Sequence, residues 1–92
     1  MTPDKVLTKH PEGKRGKSIT VESYELFEQA VVAALQRRAL THTELVAALE
    51  QSLRGRFGGN VSWYTMTVKL DLEARRVIER TASRPQRYRV RG

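Results

Sequence analysis

Apolar positions recur with a helical period over Val21–Arg38. Tyr24, Phe27, Val31, Ala34 and Leu35 fall on one face of a 3.6-residue repeat. Glu22, Glu25 and Glu28 occupy the early turns and Arg37-Arg38 the last, the order that a helix macrodipole favours. This predicts a first helix. The strongest local signal follows in Leu40-Thr41-His42-Thr43-Glu44-Leu45. Thr41 and Glu44 have the spacing of a capping box, in which each side chain reaches the other residue's backbone N–H, while Leu40 and Leu45 stand where a hydrophobic staple closes. Leu45, Val46, Leu49 and Leu53 continue as an apolar stripe. A second helix is therefore expected over His42–Leu53, ended by Gly55, Gly58 and Gly59.

A third helix, capped by Asn60 or Ser62, is expected to run to Arg75. On a helical wheel Val61, Thr65, Val68 and Leu72 share one side, an ordinary core stripe. Trp63, Met66, Leu70 and Ala74 gather on the opposite side, so this helix has two apolar faces to cover. A strand is the alternative, because Met66, Val68, Leu70 and Leu72 also alternate with period two. The Asp-Leu-Glu-Ala-Arg-Arg continuation favours the helix.

The two ends of the chain read differently. Val77–Thr81 and Arg87–Arg91 alternate as two strands around a turn over Ala82–Gln86, which holds Ser83 and Pro85. Val6-Leu7 and Ser18-Ile19-Thr20 flank the polar stretch His10–Lys17, with Pro11 and Gly13, and so suggest an N-terminal hairpin. A Lys-rich disordered arm is the competing reading. The whole is an α+β plan in one domain over residues 1–92: a basic hairpin or arm at 1–20, a three-helix core at 21–76 and a C-terminal hairpin at 77–91.

Ninety-two residues with 39% apolar content fill one modest core and leave no room for a deep ligand cavity. The absence of cysteine excludes disulfides, thiolate metal sites and a cysteine nucleophile. No stretch approaches the roughly 20 apolar residues of a membrane span, and Met1-Thr2-Pro3-Asp4-Lys5 lacks the apolar core of a signal peptide. A soluble cytoplasmic protein, without a membrane partner, is expected. The formal charge is +7, unevenly placed: residues 1–20 carry net +3, residues 21–53 net −3 and residues 54–92 net +7. Nine of the ten bases in the last segment are Arg, the planar fork suited to phosphate and base edges.

Three helices followed by a hairpin, with LTHTEL opening the second helix and KLDLEARRVIER leaving the third, resemble the winged helix-turn-helix fold. The passage from helix 3 into Arg87-Tyr88-Arg89-Val90 looks like that of regulators of the multiple-antibiotic-resistance-repressor type. Nearly the whole chain, through HPEGKRGKSI, YELFEQAV and above all SWY-x₃-VKLDLEA, is similar to a family of small uncharacterised bacterial winged-helix proteins. The resemblance implies a C-terminal wing and a transcription-regulator type of DNA-binding protein. In that family the passage usually has Gly where Arg76 stands, so either Arg76 takes a left-handed conformation at a cost of about 1 kcal/mol or the helix ends differently.

In a helix-turn-helix, helix 3 enters the major groove. Its expected outward residues here are Ser62, Trp63, Met66, Thr67, Leu70 and Lys69. Ser62 and Thr67 can bond phosphates or bases, and Trp63 or Met66 can touch a thymine methyl. The competing reading has Trp63, Met66 and Leu70 covered by the N-terminal hairpin, a second subunit or another protein. The wing concentrates Arg80, Arg84, Gln86, Arg87 and Arg89, suited to a phosphate backbone or the minor groove. The bland reading of those arginines is a charged edge strand that resists pairing with another chain. Lys14-Arg15-Gly16-Lys17 reads as a solvated basic loop, and Arg54-Gly55-Arg56-Phe57-Gly58-Gly59 as a turn rather than an RNA-binding element.

Catalysis finds little footing. Only His10 and His42 exist, His42 in a first-turn position expected to be exposed, and Asp71 and Glu73 lie on different sides of helix 3. No metal-ligand spacing or phosphate loop appears. The chain is therefore read as a non-enzyme without cofactor, metal or small-molecule ligand. Its expected partners are double-stranded DNA and, in a homodimer, a second copy.

Overall fold

The computed structural model describes residues 5–14 and 16–91; Met1–Asp4, Arg15 of the basic loop and Gly92 lie outside them. A polar side chain opens each helix. Thr20 Oγ1 accepts from the Ser23 N–H at the head of α1 (Val21–Arg37). Thr41 and Glu44 close the expected capping box on α2 (His42–Ser52), with Glu44 Oε1 accepting from the Thr41 N–H at 2.9 Å and Thr41 Oγ1 from the Glu44 N–H at 3.2 Å. Asn60 Oδ1 accepts from the Trp63 N–H at the start of α3 (Val61–Ala74). Each cap satisfies a donor that the helix itself leaves without a partner.

The three helices pack around the stripes predicted for them. Tyr24, Phe27, Val31 and Leu35 of α1, Leu45 and Leu49 of α2 with Leu53 beyond its end, and Thr65, Val68 and Leu72 of α3 are buried together. Leu40 and Leu45, the two halves of the staple, are both in the core. Phe57 lies in the turn between α2 and α3. Its ring meets Phe27 edge-on at 4.8 Å and Tyr64 at 4.9 Å, while Phe27 and Tyr64 stack at 5.3 Å. This aromatic triangle anchors the α2–α3 turn onto α1.

The N-terminal segment is a hairpin. β1 (Lys5–Leu7) pairs antiparallel with β2 (Ser18–Thr20), with Val6 opposite Ile19. Beyond the strands, Thr8 N–H donates to the Lys17 carbonyl at 2.8 Å and the Lys17 N–H donates to Thr8 Oγ1 at 2.8 Å. A Cβ on Gly16 would stand 1.6 Å from the Thr8 carbonyl oxygen, so the close approach of the two arms requires glycine there.

The second hairpin forms at the other end, with β3 (Ile78–Arg80) antiparallel to β4 (Tyr88–Val90) and Glu79 opposite Arg89. Both strands are shorter than the expected Val77–Thr81 and Arg87–Arg91, although backbone bonds from Thr81 to Arg87 and from Arg91 to Val77 continue the pairing one step each way. Leu40, between α1 and α2, exchanges backbone bonds with Tyr88 at 3.1 and 2.8 Å. The hairpin is thus tied into the helical core by backbone as well as by the buried Ile78 and Tyr88 side chains.

α3 ends in a Schellman motif. The Val77 N–H donates to the Leu72 carbonyl and the Arg76 N–H to the Glu73 carbonyl, with Arg76 at φ 63°. A residue other than Gly, Asn or Asp is uncommon there, because Cβ crowds the backbone at a cost of roughly 1–2 kcal/mol. Arg76→Gly is expected to stabilise the domain by up to about 1 kcal/mol, the strain relief being partly offset by the freer unfolded chain. A urea midpoint that falls in R76G would contradict this account of the turn.

Candidate nucleic-acid interface

The residues of the C-terminal hairpin stand as the alternation predicts. Arg89 is exposed on one face while Tyr88 is buried and Val90 packs against the core. The arginines divide by their partners. Arg80 Nε donates to Glu73 Oε2 at 2.7 Å, Arg89 Nε to Glu79 Oε2 at 2.7 Å and Arg75 Nε to the Asp71 carboxylate at 2.9 Å. Their charges are neutralised locally. The Glu73 contact, outweighing burial, raises the Arg80 pKa. Arg54, Arg56, Arg76, Arg84, Arg87 and Arg91 form no ion pair among the described residues. Arg84 and Gln86 are exposed in the wing turn, and Arg87 is half-exposed beside it. Apart from Arg37 at the end of α1, the arginines without an ion pair among the described residues lie in the C-terminal hairpin, at its base and in the α2–α3 turn.

α3 presents a different surface from the one expected. Ser62 is exposed and Met66 is 42% exposed. Trp63 and Leu70 are half-buried, and the Trp63 ring packs edge-on against Tyr64 at 4.9 Å. Thr67 and Lys69, expected on the outward face, are each only 5% exposed. Thr67 lines a groove of 290 Å³ between the N-terminal hairpin and the Trp63–Met66–Leu70 face, whose opposite wall includes Lys9 and Lys17. The loop of the hairpin thus faces the second apolar face across this groove, leaving Met66 exposed and Trp63 and Leu70 half-buried. Lys69 is buried for a different reason: it stands four residues after Thr65 and three before Leu72, inside the core stripe.

Lys69 turns toward α2. Its Nζ lies 3.0 Å from His42 Nδ1 and 4.1 Å from the centroid of the Tyr88 ring. An ammonium has only donors, so Nδ1 accepts and the imidazole proton sits on Nε2. Burial, and then the Lys69 charge, lower the His42 pKa from 6.5, keeping the ring neutral at pH 7. The expectation of an exposed His42 is corrected accordingly: the side chain is half-buried at the junction of α2, α3 and β4.

A second cluster centres on Asp71, which is fully buried. Its carboxylate accepts from Tyr24 Oη at 2.5 Å, from the Lys9 N–H at 2.8 Å and from Arg75 Nε. Four segments meet there: α1, α3, the turn that follows α3 and the chain leaving β1. Burial, followed by the hydrogen bond to Asp71, raises the Tyr24 pKa well above the ordinary phenol value of 10. Asp71 stands three residues after Val68, at the flank of the core stripe, and Arg75 follows four later. Wheel position and i,i+4 spacing together carry the signal of a buried, paired carboxylate.

A family of unknown function (DUF6958) matches residues 5–88, from the start of β1 to the first residue of β4. The chain belongs to this family. No curated protein and no solved structure matches it. The DUF6958 match takes in the N-terminal hairpin, all three helices, the Asp71 cluster and the turn between β3 and β4. Among the described residues of this DUF6958 member, no helix is long and apolar enough to cross a membrane, and no three His, Asp or Glu side chains gather as a metal site.

Proposed function

We propose that the chain is a cytoplasmic winged helix-turn-helix protein of the transcription-regulator type that binds double-stranded DNA, with the wing as its principal contact. One observation carries the reading: six of the arginines that lack an ion pair among the described residues, Arg54, Arg56, Arg76, Arg84, Arg87 and Arg91, lie in the C-terminal hairpin, at its base and in the α2–α3 turn, whereas Arg75 beside α3 is paired with Asp71. Unpaired guanidinium groups on an exposed hairpin suit phosphate contacts, which supply most sequence-independent affinity. α3 contributes Ser62 and Met66 and little more, so base readout through this helix is slight. A homodimer would present two wings to one duplex. The other reading has a partner protein dock on the apolar face of α3, where Trp63, Met66 and Leu70 line an open groove whose other wall is the loop of the N-terminal hairpin.

Binding to a short duplex is expected to fall steeply with salt. Each phosphate neutralised contributes about −0.9 to the slope of log K against log salt. Arg84→Ala with Arg87→Ala is expected to flatten that slope by about 2 and to weaken all duplex sequences alike. A titration followed by fluorescence anisotropy at several salt concentrations measures both. An unchanged slope in the double variant would remove the wing from the interface.

A further inference from the structure

The outer face of α3 sets an apolar floor beside a basic wall. Trp63, Met66 and Leu70 follow one another at i, i+3 and i+7 and line the 290 Å³ groove. That stretch of helix rises about 10 Å, two turns of a docked helix or a few residues of extended chain. The opposite wall is the hairpin loop, through Thr8, Lys9, His10, Gly16 and Lys17. No Asp or Glu is among the described lining residues. Lys9 and Lys17 are both exposed, and neither forms an ion pair among the described residues.

The basic wall is held in place by backbone contacts. The Lys9 N–H donates to the buried Asp71 of α3 at 2.8 Å, which ties the loop to the helix that forms the floor. Thr8 and Lys17 are bonded across the loop, and Gly16 passes so close that a Cβ would collide with the Thr8 carbonyl. The backbone positions of Lys9 and Lys17 relative to α3 are therefore set before any partner arrives, which lowers the ordering cost of binding.

Floor and wall together define the occupant. Met66 and Leu70 are flexible aliphatic surfaces that take apolar side chains, and the two ammonium groups attract carboxylates. The volume stands at the lower edge of the about 300–1,000 Å³ of sites that enclose a small ligand. Met66 stays 42% exposed beside it, so the groove suits side chains offered by a longer chain. A DNA duplex has phosphates for the lysines but little apolar surface beyond thymine methyl groups for the floor. A second copy of this chain lacks the complement. The exposed large apolar residues described are Leu7 and Met66, and Leu7 lies between Lys5 and Lys9. Seating Leu7 of one copy on Met66 of another would set lysines against lysines.

We propose that this groove docks an acidic, amphipathic segment of another protein. Its apolar side chains rest on Trp63, Met66 and Leu70, and its Asp or Glu side chains face Lys9 and Lys17. This assignment rests on the protein-docking reading of the α3 face and not on duplex binding by the C-terminal hairpin.

A random peptide-display library selected against the full chain tests it. Enriched peptides are expected to carry Asp or Glu around Leu, Ile, Phe or Trp. One of them, synthesised and titrated, is expected to shift the Met66 methyl and Trp63 indole signals in NMR spectra. Met66→Glu, at an exposed position, and Lys17→Glu, which places an acid on the wall, are each expected to weaken its binding roughly tenfold or more. The same peptide with its acids changed to Lys should bind K17E better than it binds wild type. Enriched peptides that M66E no longer binds but that are not acidic would keep the docking face and overturn the acidic partner. No enrichment, or undiminished binding in folded M66E and K17E proteins, would overturn both. A short duplex that shifts the Met66 and Trp63 signals would assign the face to DNA, and a dimer lost in M66E by sedimentation would assign it to a second copy; either overturns the proposal.

Discussion

Asp71→Ala is expected to destabilise the domain by about 3–5 kcal/mol, the range found when one partner of a buried ion pair is removed. The substitution leaves the Tyr24 hydroxyl and the Lys9 N–H without their common acceptor, and each buried unsatisfied group costs about 1–3 kcal/mol. Arg75 loses less, since its side chain is 37% exposed and can turn to water. A domain of this size has total stability on the order of 5–15 kcal/mol, so D71A stands near the limit of folding at 37 °C. Urea denaturation followed by circular dichroism gives the loss. Hydrogen exchange locates it, because the Lys9 bond is what joins the N-terminal hairpin to α3, and β1 and β2 should exchange first. Tyr24→Phe removes one hydroxyl and should cost about 1 kcal/mol. The raised Tyr24 pKa adds a pH signature with a definite sign. The folded phenol holds its proton more tightly than the unfolded one, so its contribution is present below pH 10 and is lost as pH rises above that value. The alkaline loss of stability should be shallower in Y24F. A D71A protein as stable as wild type would remove the cluster from any role in holding the hairpin.

Phe27→Ala carries the second large effect. Phe27 is fully buried, and its ring contacts both Phe57 and Tyr64. Phe-to-Ala truncation in a packed core costs about 3–5 kcal/mol through lost transfer energy and the cavity left behind. The aromatic pairs add about 0.5–1.5 kcal/mol beyond buried area. Phe27→Leu keeps most of the volume and should cost less than about 1.5 kcal/mol. The consequence extends to the α2–α3 turn, because Phe57 anchors the segment that carries Arg54 and Arg56. Under conditions where F27A is still folded, that turn should lose order, and if the proposed duplex binding holds, its salt dependence should flatten. A urea midpoint in F27A within about 1 kcal/mol of wild type would show that the triangle is dispensable.

The elements themselves were legible in the chain. The α1 and α2 stripes, the capping box and the staple are local patterns, complete within one or two turns, and local geometry decides them. The left-handed position of Arg76 was legible through the resemblance, since the related passage usually has Gly there, and the φ of 63° agrees. The face of α3 was not legible. Apolar residues on both sides make the wheel ambiguous, and Trp63 and Leu70 are half-buried along a groove whose other wall is the loop of the N-terminal hairpin. The RGRFGG segment was legible as a turn, but nothing in its composition marks Phe57 as a core anchor; that depends on two rings from other helices.

The charged residues divide along the same line. Composition determined that positive charge concentrates after residue 54, and alternation determined that Arg89 and Tyr88 point opposite ways in the wing. Tertiary structure alone decided which arginines keep their charge available and which lose it to Glu73, Glu79 or Asp71. It alone turned Lys69 inward onto His42, and made Asp71 the buried acceptor for Tyr24 and Lys9. Those partners lie 27, 47 and 62 residues away along the chain. Periodicity reports which way a side chain points from its own helix. What it meets there, and so which partners a buried charge finds, is settled by segments that only folding brings together.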